Sequence, residues 1–356
     1  MLKKTIRRLG ALAMVLAMAV SVFAVNASAA NTANDEKTFE KAFTKTVTTD
    51  GNTCAPNTTF TYKVTTASAE KNVTITDSEG ENHTYVTKAG NTNDDVALSA
   101  TQFTPGEETK DSYVVNGNIT VKAGAYTTPG IYHYTVKEES GNYEGIKYAT
   151  AQYELYVFAE VDATGKIVVT NIIAVKDGKK AALGFVNDYG QDKDNNTTHD
   201  VKIVKEVTGN MGDKANDAFN FTVGVTGHAG EMYKVVYAAT SSATPTPAYV
   251  TSGSTIKIEG IKDTGYIQIF GLTADDTYTV TEDDYSSSGY KTYVGTQETR
   301  VATGNATEDG AAVTVENKKN NTAPTGVIMT IAPYALMVVL AGAFAVVFLS
   351  RRNRAE

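Results

Sequence analysis

Lys45, Glu138 and Asn187 each stand two residues beyond an apolar residue, and Lys205, Glu282 and Asn317 repeat that placement in the second half of the chain. Side chains on a strand alternate between faces, so residues two apart share one. Phe43, Lys45 and Val47 then line one face, as do Tyr134, Val136 and Glu138, and Leu183, Phe185 and Asn187. The later sets are Ile203, Lys205 and Val207; Tyr278, Val280 and Glu282; and Val313, Val315 and Asn317. An unpaired charge in phase with a core face is very costly, and two arrangements relieve the cost. One is a hydrogen-bonded buried ion pair, with no net gain over apolar packing. The other is covalent. Desolvation favours a neutral amine facing a neutral carboxylic acid; the acid polarises the Asn carboxamide and shuttles protons, the amine attacks, and ammonia leaves. The product is a Lys–Asn isopeptide bond. Burial physics alone leaves both arrangements open.

The elements that must position these residues are strands. Val, Thr and Tyr are abundant, and short alternating runs recur between Gly, Asn and Asp clusters, the texture of an antiparallel sandwich. Examples are Phe60-Thr61-Tyr62-Lys63-Val64, the run from Tyr153 to Val161, and Ile267-Gln268-Ile269-Phe270. No long segment between the two ends holds a 3.6-residue period. The stretch 188–200, DYGQDKDNNTTHD, is polar and aperiodic and reads as a linker between a domain of residues 37–187 and one of 200–317. Asp192, Asp194 and Asn196 open like a calcium loop, but Thr197 stands where Gly is required and Ile203 where the closing Glu would be, so no metal is expected there. An internal repeat supports the division. Lys45 precedes Phe60 by 15 residues, Lys205 precedes Phe219 by 14, and the order Lys, Glu, Asn is the same in both halves.

The ends are different in kind. Residues 1–30 carry Lys3, Lys4, Arg7 and Arg8, then an apolar run, then Ala27-Ser28-Ala29-Ala30, the layout of a secretory signal peptide. Residues 327–349 are apolar and would span roughly 34 Å as a helix, enough to cross a bilayer core of about 30 Å. The basic tail 350–356, with Arg351, Arg352 and Arg354, suits the cytoplasmic side. Without these ends the exported part, about residues 30–325, holds 25 Lys+Arg against 39 Asp+Glu, a net charge of −14. That balance argues against nucleic acid as a partner. One cysteine allows no intramolecular disulfide, and Cys54, in the turn-like Asn52-Thr53-Cys54-Ala55-Pro56, reads as a tolerated free thiol. There is no nucleophile–His–acid set, Gly-rich phosphate loop or metal-ligand cluster, so neither an enzyme nor a cofactor is expected.

Thr322-Ala323-Pro324-Thr325-Gly326, followed by an apolar span and a basic tail, resembles the sorting signal of Gram-positive sortase substrates. The usual Leu-Pro-x-Thr-Gly order is not kept, and the departure is similar to the variant in shaft pilins of sortase-built pili. Together with the Lys, Glu and Asn sets, Thr281-Glu282-Asp283-Asp284-Tyr285 and Asn317-Lys318-Lys319, the chain resembles the major (backbone) pilins of these pili, whose domains are isopeptide-linked and immunoglobulin-like. The resemblance implies an all-β chain of two tandem immunoglobulin-like sandwiches. It implies bonds Lys45–Asn187, helped by Glu138, and Lys205–Asn317, helped by Glu282. It further implies cleavage between Thr325 and Gly326 by a pilus-type (class C) sortase, and joining of Thr325 to a lysine of the next copy.

The family's commonest acceptor motif contains Trp, which this chain lacks. In the nearer subgroup the acceptor precedes the last strand of the first domain and matches Lys180, with Lys179 as the alternative. The implied partners are the sortase, other copies of the chain, tip or base pilins, and peptidoglycan through a basal subunit. The implied location is the cell wall and surface pilus, after a transient membrane anchor. A wall-anchored monomeric adhesin with stalk-type domains is the alternative function. Each bond would tie the first strand of its domain to the last, so tension would load the cross-link before the sheet hydrogen bonds.

Overall fold

Alternating burial organises the chain into two tandem β-sandwiches with almost no helix. The computed structural model describes residues 39–122, 124–190, 198–306, 310–321 and 336–341. The segments expected to be a signal peptide (1–30) and a sorting motif (322–326), most of the polar linker and most of the apolar C-terminal stretch lie outside them. Among the described residues, no helix is long and apolar enough to cross a membrane.

In the first sandwich, one sheet has five strands in the spatial order Ile146–Lys147, Gly184–Tyr189, Phe39–Thr48, Ser112–Val121 and Val96–Leu98. The facing sheet is built around Tyr62–Thr66, Gly130–Glu138, Gln152–Val161, Ile167–Lys176 and Lys179–Ala181, and is extended by the hairpin Val73–Thr76 and Asn82–Tyr85. Tyr153, Leu155, Val157 and Ala159 point inward together and are buried, as period-two alternation requires. Their partners from the opposite sheet are Phe43, Ile119, Val121 and Phe185. The run Phe60–Val64, continuous by alternation, is broken at Thr61. Thr58–Phe60 pairs with Thr101–Phe103, while Tyr62–Thr66 joins the larger sheet, so the chain changes sheets at that residue.

The second sandwich sets a seven-stranded sheet against a four-stranded one. The larger has the order Thr246–Thr251, Met232–Ala238, Tyr266–Leu272, His199–Thr208, Ala311–Lys318, Lys291–Val294 and Gln297–Glu298; the smaller holds Thr255–Ile261, Phe219–Thr226, Thr277–Glu282 and Val301–Gly304. Val201, Ile203 and Val207 pack against Phe221, Val223 and Val280 between them. The polar stretch 188–200 is shorter than its composition suggests, because Gly184–Tyr189 runs into it from one side and His199–Thr208 begins inside it on the other.

A polar cluster joins the sandwiches. The buried Glu231 carboxylate accepts hydrogen bonds from Tyr143 Oη at 2.6 Å, Tyr233 Oη at 2.6 Å and His228 N–H at 2.9 Å. The Tyr143 ring stacks on His228, and Asn57 Nδ2 reaches Ala229 O at 2.9 Å. Asp276 lies beside this carboxylate. Its Oδ2 accepts Thr273 N–H at 2.7 Å, and burial, reinforced by the charge of Glu231, pushes its pKa up to about 6.

Candidate functional site

The three residue types meet inside each sandwich because of one feature of the topology. The first strand of each half, Phe39–Thr48 or His199–Thr208, pairs in parallel with the last, Gly184–Tyr189 or Ala311–Lys318. The registers are Lys45↔Phe185 with Val47↔Asn187, and Lys205↔Val315 with Val207↔Asn317. In both halves Lys and Asn are therefore diagonal neighbours on the inner face, two residues out of register. The strand that carries Glu lies in the opposite sheet in both halves, and it places Glu138 or Glu282 across the core from the pair. All six side chains are buried, none more than 4% exposed.

In the first site, Lys45 Nζ donates to Glu138 Oε2 at 2.7 Å, and Asn187 Nδ2 donates to Glu138 Oε1 at 2.5 Å. One carboxyl group thus grips the amine with one oxygen and the amide nitrogen with the other. Asn187 Oδ1 accepts the backbone N–H of Ala149 at 2.8 Å, which polarises the carbonyl. The Phe60 ring stands 4.3 Å from Lys45 Nζ. Burial lowers the Lys45 pKa to about 8, against the pull of Glu138 in the other direction. Burial thus favours the neutral amine, beside a carbonyl already polarised by an amide N–H.

The second site has the same members in a looser arrangement. Lys205 Nζ lies 3.4 Å from Glu282 Oε1 and donates to the carbonyls of Val315 and Glu206 at 3.1 Å. Phe219 covers it at 4.4 Å. Burial brings the Lys205 pKa down to about 8 and raises that of Glu282, the latter against the opposing effect of Lys205. Thr292 Oγ1 donates to Glu282 Oε2 at 2.9 Å. Among the described residues, Glu282 Oε1 and both polar atoms of the Asn317 carboxamide are buried without a hydrogen-bond partner of good geometry. Such orphans are uncommon in folded proteins and mark a place where chemistry or an unmet bond is expected.

Phe60, Phe219, Ala149 and Thr292 were not anticipated as parts of these sites. The two rings carried a signal, since their spacing from the lysines is part of the internal repeat. The N–H of Ala149 and the hydroxyl of Thr292 carried none, one being backbone and the other a common residue on a strand.

Of the remaining candidates, Lys179 and Lys180 are exposed on the short strand Lys179–Ala181, next to Ile167–Lys176 and Val73–Thr76. Thr322, Ala323, Pro324, Thr325 and Gly326 lie outside the described residues. Cys54 is a buried free thiol, and burial pushes its pKa up to about 12, which keeps it protonated and unreactive. Asp77, Glu81 and His83 bring ligand atoms within 4.8 Å of one another in an exposed hairpin turn. Asp77 Oδ1 already accepts the N–H groups of Glu79 and Glu81, and its Oδ2 holds His83, so the turn itself accounts for the cluster.

Comparison with known proteins places the chain in a family. Residues 38–190 match the model of a Spy0128-like isopeptide-containing domain, and residues 199–319 match a domain family of unknown function. A curated pilin of Streptococcus pyogenes serotype M1 is 31% identical over 327 residues, covering 85% of this chain and 88% of the relative. The crystal structure of the major pilin of Streptococcus pyogenes aligns with a TM-score of 0.52 at 22% identity, over 81% of this chain and all of that one. The major pilin protein T3.2 of the same species aligns at 0.53 and 22% identity, covering 79% and 97%. The two solved structures share the fold of this chain.

Proposed function

The chain belongs to the family of major pilins with isopeptide-containing domains, and on that premise we propose that it is a pilus-shaft subunit stapled internally by Lys45–Asn187 and Lys205–Asn317 bonds and joined to further copies by a sortase. As a member of that family it is a structural subunit of a surface pilus. The observation that carries the stapling is the two-handed grip of Glu138 on Lys45 Nζ and Asn187 Nδ2. A simple ion pair does not need the carboxylate to hold the amide nitrogen as well. That second contact puts a proton carrier next to the leaving group.

In the proposed reaction, the neutral Lys45 amine attacks Asn187 Cγ. The carboxyl group takes the proton lost by Nζ through one oxygen and returns a proton to Nδ2 through the other. The Cγ–Nδ2 bond breaks, and the products are one secondary amide and one ammonia. For assembly, the sortase would form an acyl-enzyme at Thr325 and transfer it to Lys180 of the next copy. A head-to-tail contact of this kind does not close on itself and so propagates as a fibre.

Intact mass of the recombinant exported part tests the staples: the expected value is the sequence mass less two ammonia, and the unmodified mass would refute them. Coexpression with a pilus-type sortase tests assembly. The expected product is a ladder that survives boiling in detergent, is lost in Lys180→Arg, and yields a Thr325 peptide branched on Lys180. A single wall-linked band would support the adhesin instead.

A further inference from the structure

We propose that Thr292 is a positioning residue for the second cross-link, reserving Glu282 Oε2 so that the acid's proton sits on Oε1, the oxygen nearest Lys205. The inference rests on the cross-linking reading above and concerns how the second site achieves what the first does by another route.

Glu138 needs no helper, because its two oxygens are occupied by the two reactants and Asn187 Oδ1 is held by Ala149 N–H. Glu282 holds the same two reactants more loosely. Lys205 is 3.4 Å from Oε1 and the Asn317 side chain lies near enough to favour the carboxylate, but among the described residues no hydrogen bond of good geometry reaches Oε1 or the Asn317 carboxamide. Among the described residues, the one side-chain hydroxyl on this carboxyl group is that of Thr292, 2.9 Å from Oε2 and itself buried. Thr292 stands directly opposite Asn317 across the pair Lys291–Val294 and Ala311–Lys318, so the strand that presents the electrophile also fixes the hydroxyl. A β-branched side chain on a strand has restricted χ1, which keeps the hydroxyl aimed.

Among the described hydrogen bonds, Thr292 Oγ1 has no acceptor other than Glu282. Its O–H therefore points at Oε2, and a proton on that oxygen would leave the threonine hydrogen without a partner. The neutral acid is thereby biased to carry its proton on Oε1. There it supplies a donor, and the Asn317 carbonyl oxygen is a buried acceptor without a hydrogen-bond partner among the described residues. The role is like that of the residue that fixes the tautomer of a catalytic histidine: it touches neither reacting atom and sets which atom of its neighbour is acidic.

The steps then balance. Oε1–H protonates Asn317 Oδ1 as Lys205 Nζ bonds to Cγ, and the resulting Glu282 carboxylate removes a proton from the new ammonium. That proton passes to Nδ2, the Cγ–Nδ2 bond breaks, and the proton on Oδ1 returns to Glu282 as the carbonyl reforms. Ammonia leaves and the acid ends as it began.

The test is the formation of the second bond in the full exported part, followed by intact mass and by mapping of the Lys205–Asn317 branched peptide over time and pH. Wild type is expected to lose two ammonia. Thr292→Val, nearly isosteric, is expected to lose one promptly, through Lys45 and Asn187, and the second at least ~10-fold more slowly, the scale expected when a reacting group is misoriented. Thr292→Ser, which keeps the hydroxyl, is expected to restore the rate. A second bond in Thr292→Val at the wild-type rate overturns the proposal, as does a Thr292→Ser variant as slow as Thr292→Val. Should the valine variant fail to fold, Thr292→Ala against Thr292→Ser makes the same comparison. A wild-type protein that never loses the second ammonia would instead overturn the cross-linking reading on which this inference rests.

Discussion

Replacing Asn187 by Ala separates the two ways in which a buried Lys and Glu can coexist. The variant leaves Lys45 and Glu138 paired at 2.7 Å, so no charge is stranded. It removes the electrophile, the donor to Glu138 Oε1 and the acceptor of Ala149 N–H. With a staple in wild type, the first sandwich loses a constraint closing 142 residue steps, from Lys45 to Asn187. The chain-entropy relation used for disulfides gives about 5 kcal/mol for a loop of that length. The two lost hydrogen bonds add about 2 kcal/mol. Each kcal/mol moves the melting midpoint of a domain of this size by about 2–4 °C, so the expected fall is at least about 10 °C. Without a staple only the hydrogen bonds are lost, and the fall is a few degrees. Calorimetry on wild type and variant reads the difference, with the second sandwich as internal reference and intact mass reporting the ammonia. A shift of a few degrees, together with a wild-type mass that includes both ammonia equivalents, would refute the covalent reading for this domain.

Asp276 gives the chain a pH dependence of definite sign. Its pKa in the fold, about 6, exceeds the ordinary 3.8, so the folded state holds the extra proton between those values. Stability should then fall as pH rises from about 4 to about 6 and level off above. Asp276→Asn should flatten that slope and raise the midpoint at pH 7, and an unchanged slope would show that another group is responsible. Tyr143→Phe removes the hydroxyl that donates to Glu231 and accepts from Asn57 N–H, across the junction of the sandwiches. It should cost about 1–3 kcal/mol, seen in denaturant titration as earlier unfolding of the less stable sandwich, while both internal bonds still form. Equal midpoints for variant and wild type would mean that water satisfies Glu231 in its place.

The class of fold and the members of both sites were legible because alternation is a strict rule: Lys45 and Glu282 could not be in phase with apolar neighbours and remain solvated. The repeat then set Lys, Glu and Asn in one order twice, which the parallel pairing of first and last strands turns into proximity. Other parts left no trace in one dimension. The break at Thr61 depends on which sheet each half of that run can join, a choice made by tertiary packing and not by the local period. Ala149 acts through its backbone, whose direction no residue type encodes. Glu231 and Tyr143 belong to turns and strand ends of different sandwiches, and only docking brings them into contact.

The parallel pairing of first and last strands has a consequence for variation. Parallel neighbours run the same way, so the chain enters each sandwich at one pole and leaves from the other. With the next copy joined at Lys180 as proposed, tension would enter the first sandwich on Lys179–Ala181 and leave through Gly184–Tyr189, the strand that a Lys45–Asn187 bond would pin to Phe39–Thr48. The residues between Lys45 and Lys179, including the hairpin Val73–Thr76 and Asn82–Tyr85, would lie outside that covalent path. They need only to fold, not to bear tension. Most of the exposed surface of this sandwich would therefore be free to change sequence without weakening such a fibre.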